Sequence, residues 1–203
     1  SNIEGLIYTL NDILQDYNNE EADEIIGLIN QSIQRFKNTL LDLTEISKVQ
    51  NINEEAEDVN ILDVIQEVKI TLASQIESYK ADICVDLEIV NVKFSRKNLR
   101  SIIYNLLSNG IKYSSPKRKP QVKISTEQWG IYLLLRIEDN GLGIRTESIP
   151  QIFSMFKRLH DHVDGTGLGL YILKKIIENA GGKIEVESEL DKGTVFNLFL
   201  KNT

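Results

Sequence analysis

GTGLGL, Gly165 to Leu170, sets three glycines at alternate positions ahead of a helix-like run, YILKKIIENAGG. Glycine tolerates positive φ and leaves room beside the backbone, so this spacing suits close approach to a phosphate at a helix N-terminus. A second cluster, DNGLGI, follows the apolar run LLLRIE, so the Asp139 carboxylate stands at a strand end beside the adaptable backbone of Gly141 and Gly143. In NLRSIIYNLLSNGIKYSS, at about 100° per residue, Asn105, Asn109 and Lys112 fall within roughly 60° of one another on a helix. An amide oxygen ligates Mg²⁺ without adding charge, and an ammonium beside it holds phosphate oxygens. Each feature alone has a plainer reading: a polar helix face, an ordinary D-N-G turn, a short glycine string.

The elements that must carry these residues follow from periodicity. Beside the amide stripe, Leu99, Ile102, Ile103 and Leu106 form a buried stripe. Helical runs at 60–80, 96–113, 146–157 and 168–180 alternate with strand-like runs at 83–90, 121–127, 131–138, 183–188 and 194–200. The strands gather as consecutive pairs, which favours an α+β sandwich with helices on one face of a mixed or antiparallel sheet. Within IPQIFSMFKRLHDHVDG, Phe153 and Phe156 are expected to anchor a short helix leading into a polar loop. Ahead of all this, residues 1–50 read as two helices. The second repeats Ala22, Ile26, Ile29, Ile33, Phe36, Leu40 and Leu43 as a bundle seam, and an acidic linker occupies 51–58.

Bulk properties narrow the function classes. The 203 residues are 41% hydrophobic and 26% charged, a globular composition, and no apolar run approaches the ~20 residues of a membrane helix. A net charge of −7 argues against a nucleic-acid surface, and the locally basic SSPKRKPQVK reads as a solvated loop between a helix and a strand. One cysteine, Cys84, excludes an internal disulfide; in ICVDLEIV it reads as a small core residue. Two histidines, His160 and His162, complete no metal set with it.

Taken in order, NLLSNGIKY, DNGLGI, IFSMF, GTGLGL and DKGT resemble the N, G1, F, G2 and G3 boxes of the ATP-binding domain of sensor histidine kinases. The resemblance covers 59–203 and implies the Bergerat sandwich of the gyrase, chaperone and histidine kinase superfamily. Residues 1–50 are similar to the antiparallel dimerisation and phosphotransfer hairpin of the same kinases. The ligands implied are ATP and Mg²⁺. By the resemblance Asn109 ligates the metal, Asn105 and Lys112 lie near the triphosphate, and Tyr113 packs beside the nucleotide. Asp139 accepts the adenine amino hydrogen, while Gly141, Gly143 and Ile144 pass under the base. Gly165, Thr166, Gly167, Leu168, Gly169 and Leu170 bring a helix N-terminus to the phosphates, and Thr194 bonds near the adenine. Lys157, Arg158 or His160 reaches the γ-phosphate from a lid over 144–165. Asn105, Lys112 and Arg158 carry the catalytic roles.

Hydrolytic relatives carry a glutamate four residues before the metal-binding asparagine, where it activates water. Here that position is Asn105, a neutral amide, so the expected reaction is transfer to a protein side chain with slow hydrolysis. The family's acceptor lies in a box of the kind H-[DE]-L-R-x-P-L, and no histidine precedes His160. SNIEGLIYTLNDIL resembles sequence just downstream of such a box, so the chain reads as a fragment of a larger cytoplasmic kinase whose own membrane attachment stays open. The partners implied are a second copy, through the hairpin, and a response regulator receiver domain. A gyrase-type ATPase and a non-catalytic ATP-binding dimerisation module are the alternatives.

Overall fold

The computed structural model describes residues 5, 10, 20–49, 56–157 and 166–201 of the chain, which divides into two compact units, Ser1–Glu45 and Ile46–Thr203. A 30-residue helix, α1 (Glu20–Val49), carries the expected seam. Along it Ile26 is buried, Ile33 half-buried, and Ile29, Phe36, Leu40 and Leu43 are exposed. The helix expected before it falls outside the described residues, except that Gly5 and Leu10 are helical.

The second unit is a layer of helices on one face of a five-stranded mixed sheet. Its elements are β1 (Glu57–Asn60), α2 (Ile61–Thr71), α3 (Ala73–Tyr79), β2 (Asp82–Leu87), β3 (Asn91–Phe94), α4 (Arg96–Lys112), β4 (Gln121–Trp129) and β5 (Tyr132–Asp139), then a 3-10 helix (Thr146–Gln151), α5 (Gly169–Asn179), β6 (Lys183–Glu189) and β7 (Gly193–Lys201). The strand order is β2-β4-β5-β7-β6, with β2 and β4 parallel and the other neighbours antiparallel. Val122, Ile124, Leu133, Leu135, Ile137, Phe196 and Leu198 present the buried face. Against them lie Ile61 and Ile65 of α2, Leu99, Ile102, Ile103 and Leu106 of α4, and Leu173 and Ile177 of α5. Each such aliphatic side chain contributes about 1.5–3 kcal/mol by leaving water. The stripe expected on α4 is therefore the one buried, which turns the Asn105–Asn109–Lys112 stripe to the helix's half-exposed flank.

Local chemistry fixes the ends of these elements. Ser95 Oγ accepts a hydrogen bond from Asn98 N at 3.2 Å and caps α4, and Asn60 Oδ1 accepts from Asp63 N at 3.2 Å and caps α2. The run at 60–80 is two helices, broken at Leu72, whose φ of −95° and ψ of 9° depart from helical values. A two-stranded antiparallel sheet, β1 with β3, was not evident from periodicity, because each strand has four residues and the pair buries only Val59, Val92 and Phe94. β1 begins at Glu57, inside the stretch expected to be linker.

Three local expectations are corrected. Cys84 is exposed, because Ile83, Val85 and Leu87 take the helix-facing side of β2 and leave Cys84 with Asp82 and Asp86. The helix expected over 146–157 is a 3-10 turn ending at Gln151 and containing Pro150. Phe153 packs against the core, but Phe156 is 56% exposed with φ of +59°, so only the first of the two phenylalanines is an anchor.

Candidate nucleotide site

The end of β5 and the C-terminal half of α4 meet at a close approach. A Cβ on Gly110 would stand 2.9 Å from Val122 Cγ2 and 3.2 Å from Asp139 Cβ, so the absence of a side chain lets α4 lie directly on the sheet beside Asp139. The same helix carries Asn105, Asn109 and Lys112, and Tyr113 caps it. All four are half-buried. Among the described residues, the Asn109 side chain makes no hydrogen bond and Lys112 no ion pair. Asn105 donates from Nδ2 to Ser101 O at 2.9 Å, which points its Oδ1 away from that bond and towards the start of α5.

Asp139 closes β5, paired in register with Val122 on β4 and Thr194 on β7. Its Oδ1 accepts from Gly141 N at 2.8 Å, and the Thr194 backbone also donates to the carboxylate. Burial nevertheless dominates and pushes its pKa from 3.8 up to about 6, with the backbone of Gly141 and Thr194 and the Arg118 charge pulling it down and Glu138 pushing it up. A strongly perturbed carboxylate at a strand end, with donors fixed around it, is the arrangement expected of a ligand-reading group.

Two loops frame it. Leu142 N donates to Tyr113 O at 2.9 Å and Asp191 N to Leu142 O at 2.7 Å, so the 139–144 loop is held between the end of α4 and the β6–β7 turn. Gly143, at φ of +68°, lies so close to the Glu189 carbonyl that no side chain fits. Ser188 is a hub that periodicity did not single out: its Oγ accepts from Ile144 N at 2.8 Å, donates to Gly193 O at 2.8 Å and lies 2.9 Å from Thr194 Oγ1. Thr194 itself is 6% exposed.

The glycine string delivers α5. Leu168, its N-cap, has no side-chain acceptor, and the Thr166 hydroxyl accepts from Leu168 N at 3.3 Å. Gly167 is left-handed at φ of +75°, against the backbone of Phe156 and Lys157. Gly169 opens the helix against Asn105. The first-turn N–H groups of α5 therefore lie beside the α4 amide stripe, a setting that favours negative charge. Leu170 packs on the core, as do Ile144, Ile152 and Phe153, so the first part of the segment expected as a lid is anchored. Arg158, His160, His162 and Gly165 lie outside the described residues.

The basic stretch 117–119 is more than a solvated loop. The Arg118 guanidinium donates from Nε to Asn140 O at 2.5 Å, and from Nη2 to Gly141 O and to Asp191 O, both at 2.6 Å. The sequence gives no sign of this, because a lone arginine among lysines after a helix has no spacing signature.

The sequence model of histidine kinase-, DNA gyrase B- and HSP90-like ATPases matches residues 95–203, more than half of the chain. This chain belongs to that family. The chain is similar, at 31% identity over 184 residues, to Sensor protein RprX of Bacteroides fragilis; the match covers 87% of this chain and 36% of RprX. Among solved structures it is similar to the nucleotide-free catalytic domain of histidine kinase ThkA, with TM-score 0.65 and 28% identity, covering 74% of this chain and 97% of that one. ThkA in complex with response regulator protein TrrA matches with TM-score 0.72 over 98% of this chain and 57% of that one; at 24% identity the likeness shows the fold. The fold of the second unit is thus the Bergerat sandwich, and the domain is one that binds ATP. Among the described residues no helix is long and apolar enough to cross a membrane.

Proposed function

We propose that this chain is the phosphate-donating core of a two-component histidine kinase, binding Mg-ATP for transfer to a histidine. The observation that carries the reading is the Asp139 carboxylate, half-buried and desolvated at a strand end and framed by the two glycine-bearing loops of an ATPase-family domain. Asp139 accepts the adenine amino hydrogen, with Thr194 beside it and the loop from Gly141 to Ile144 under the base. Tyr113 flanks the nucleotide. Lys112 and the start of α5, from Thr166 to Leu170, receive the phosphates. Gly165, Lys157 and Arg158 belong to the same reading at the edge of the triphosphate.

The donor set fits Mg²⁺ held together with substrate rather than by a protein cage. Among the described residues no cluster of three histidines, cysteines or carboxylates exists, and the half-buried Asn109 amide, one helical turn from Asn105 on α4, offers a neutral oxygen. Mg²⁺ binds in this way, through one or two protein oxygens plus phosphates and water. When bound, it neutralises charge on the transferring phosphoryl group. This chain's own contribution is to hold the phosphates against α5 and to leave water unactivated, since Asn105 is an amide with its nitrogen committed to Ser101. That favours transfer over hydrolysis.

Residues 1–50 are proposed to act as part of a dimerisation and phosphotransfer hairpin, without the histidine box, 51–58 as a linker and 59–203 as the catalytic domain, in the cytoplasm. ThkA's complex with a response regulator supports relay to a receiver domain, and the exposed Ile29, Phe36, Leu40 and Leu43 of α1 are the apolar seam proposed to pair with a second copy. Nucleotide recognition is tested by calorimetric titration of the chain with ATP, ADP and GTP. Adenine nucleotides are expected to bind and GTP to bind far more weakly; equal binding of GTP contradicts the role of Asp139.

A further inference from the structure

We propose that Arg118 is a positioning residue for base recognition, tying together the two loops that hold the Asp139 carboxylate. The inference rests on the reading of Asp139 as the group that accepts from the base.

Arginine's flat fork presents five donors and stays charged, so one side chain can serve several acceptors in fixed geometry. Here it serves three backbone carbonyls from two loops. On one side are Asn140 and Gly141, which directly follow Asp139; on the other is Asp191 in the β6–β7 turn. These are the segments that supply the backbone donors to the carboxylate. Gly141, whose carbonyl Arg118 holds, donates its N–H to Asp139 Oδ1, and Thr194, three residues beyond Asp191, donates on the other side. Releasing Arg118 would free both donor-bearing segments at once.

The connection that carries Arg118 is itself fixed. Gln121 N donates to Asn140 Oδ1 at 2.9 Å and Asn140 Nδ2 donates to Lys119 O at 3.0 Å, so Asn140 bridges the backbone on both sides of Pro120. Arg118 therefore projects from a seated strut. The charged groups acting on the Asp139 carboxylate are Glu138 from β5, which opposes ionisation, and Arg118, which favours it. One side chain thus shapes the cradle and supports the ionised form that accepts a hydrogen bond. Lysine in its place would keep the charge, but its single ammonium lacks the planar fork that spans the three carbonyls.

The test is calorimetric titration of the full chain with ADP between pH 5 and 8, for the wild type, Arg118→Gln, Arg118→Lys, Asp139→Ala and the Arg118→Gln/Asp139→Ala double variant. Arg118→Gln is expected to bind about tenfold more weakly, the loss of one charge-assisted hydrogen bond, and the pH midpoint of binding should move upward. Arg118→Lys should keep the midpoint near that of the wild type while the affinity stays low. In the Asp139→Ala background, Arg118→Gln should cost nothing further. Wild-type affinity and midpoint in Arg118→Gln, or an equal loss in the Asp139→Ala background, overturns the proposal. If Arg118→Gln does not fold by circular dichroism, Arg118→Lys decides alone: reduced affinity with retained midpoint supports it, and wild-type affinity overturns it. Wild-type binding by Asp139→Ala is a separate outcome, which rejects the base-reading role of Asp139 itself.

Discussion

The side-chain oxygen of Asn105 occupies the space that a Cβ on Gly169 would need. The close approach of the amide stripe to the α5 N-terminus is therefore set by a side chain on α4 and the lack of one on α5. Gly169→Ala is expected to push α5 away, lowering stability by about 1–3 kcal/mol and weakening triphosphate binding more than adenosine binding. In an Asn105→Ala background the same substitution should cost much less. Thermal melts of the four proteins measure the coupling, and an equal cost in both backgrounds contradicts the contact.

The raised pKa of Asp139 makes a prediction about stability with the opposite sign to its effect on ligand. Its folded value, about 6, exceeds the ordinary 3.8, so the folded state favours the protonated acid. The resulting stabilisation is full below pH 3.8 and is lost as pH rises through about 6. Asp139→Asn keeps an oxygen for Gly141 N and removes the charge. It should melt higher than the wild type at pH 8 and much the same at pH 4. Adenine-nucleotide binding should nevertheless fall, because the amide accepts less strongly than the carboxylate. A variant no more stable than the wild type at pH 8 rejects the burial argument.

Much of this was legible from the chain itself, for identifiable reasons. The α4 stripe was readable because four apolar residues at helical spacing left the two asparagines and Lys112 no other flank. Asp139 was readable because the apolar run Leu133–Leu135 leads to a carboxylate at the strand end, directly before Asn140 and Gly141. Arg118 and Ser188 were not, because their roles depend on loops that meet only after β4, β5, β6 and β7 have paired. Cys84 and Phe156 were misread for a related cause: a residue type suited to burial says nothing about which side of a short element faces the helices.

Metal dependence separates the α4 amides from the base site. Removing Mg²⁺ with a chelator is expected to weaken ATP binding clearly and ADP binding little. Asn109→Ala should erase most of that difference while leaving adenosine binding intact, as calorimetry with and without chelator would register. An unchanged Mg²⁺ effect in Asn109→Ala removes Asn109 from the metal site.

Phosphoryl transfer is tested most directly by incubating the chain with γ-labelled ATP and Mg²⁺, alone and then with a separate polypeptide comprising residues 1–50 preceded by an H-E-L-R-x-P-L box. Transfer requires the acceptor nitrogen in line with the γ-phosphate, so a detached acceptor should be labelled slowly. The expected result is no label on the chain alone and an acid-labile, base-stable label accumulating on the added hairpin. Acid-labile label on the chain itself, or an unlabelled hairpin while free phosphate builds up quickly, contradicts the phosphate-donor assignment.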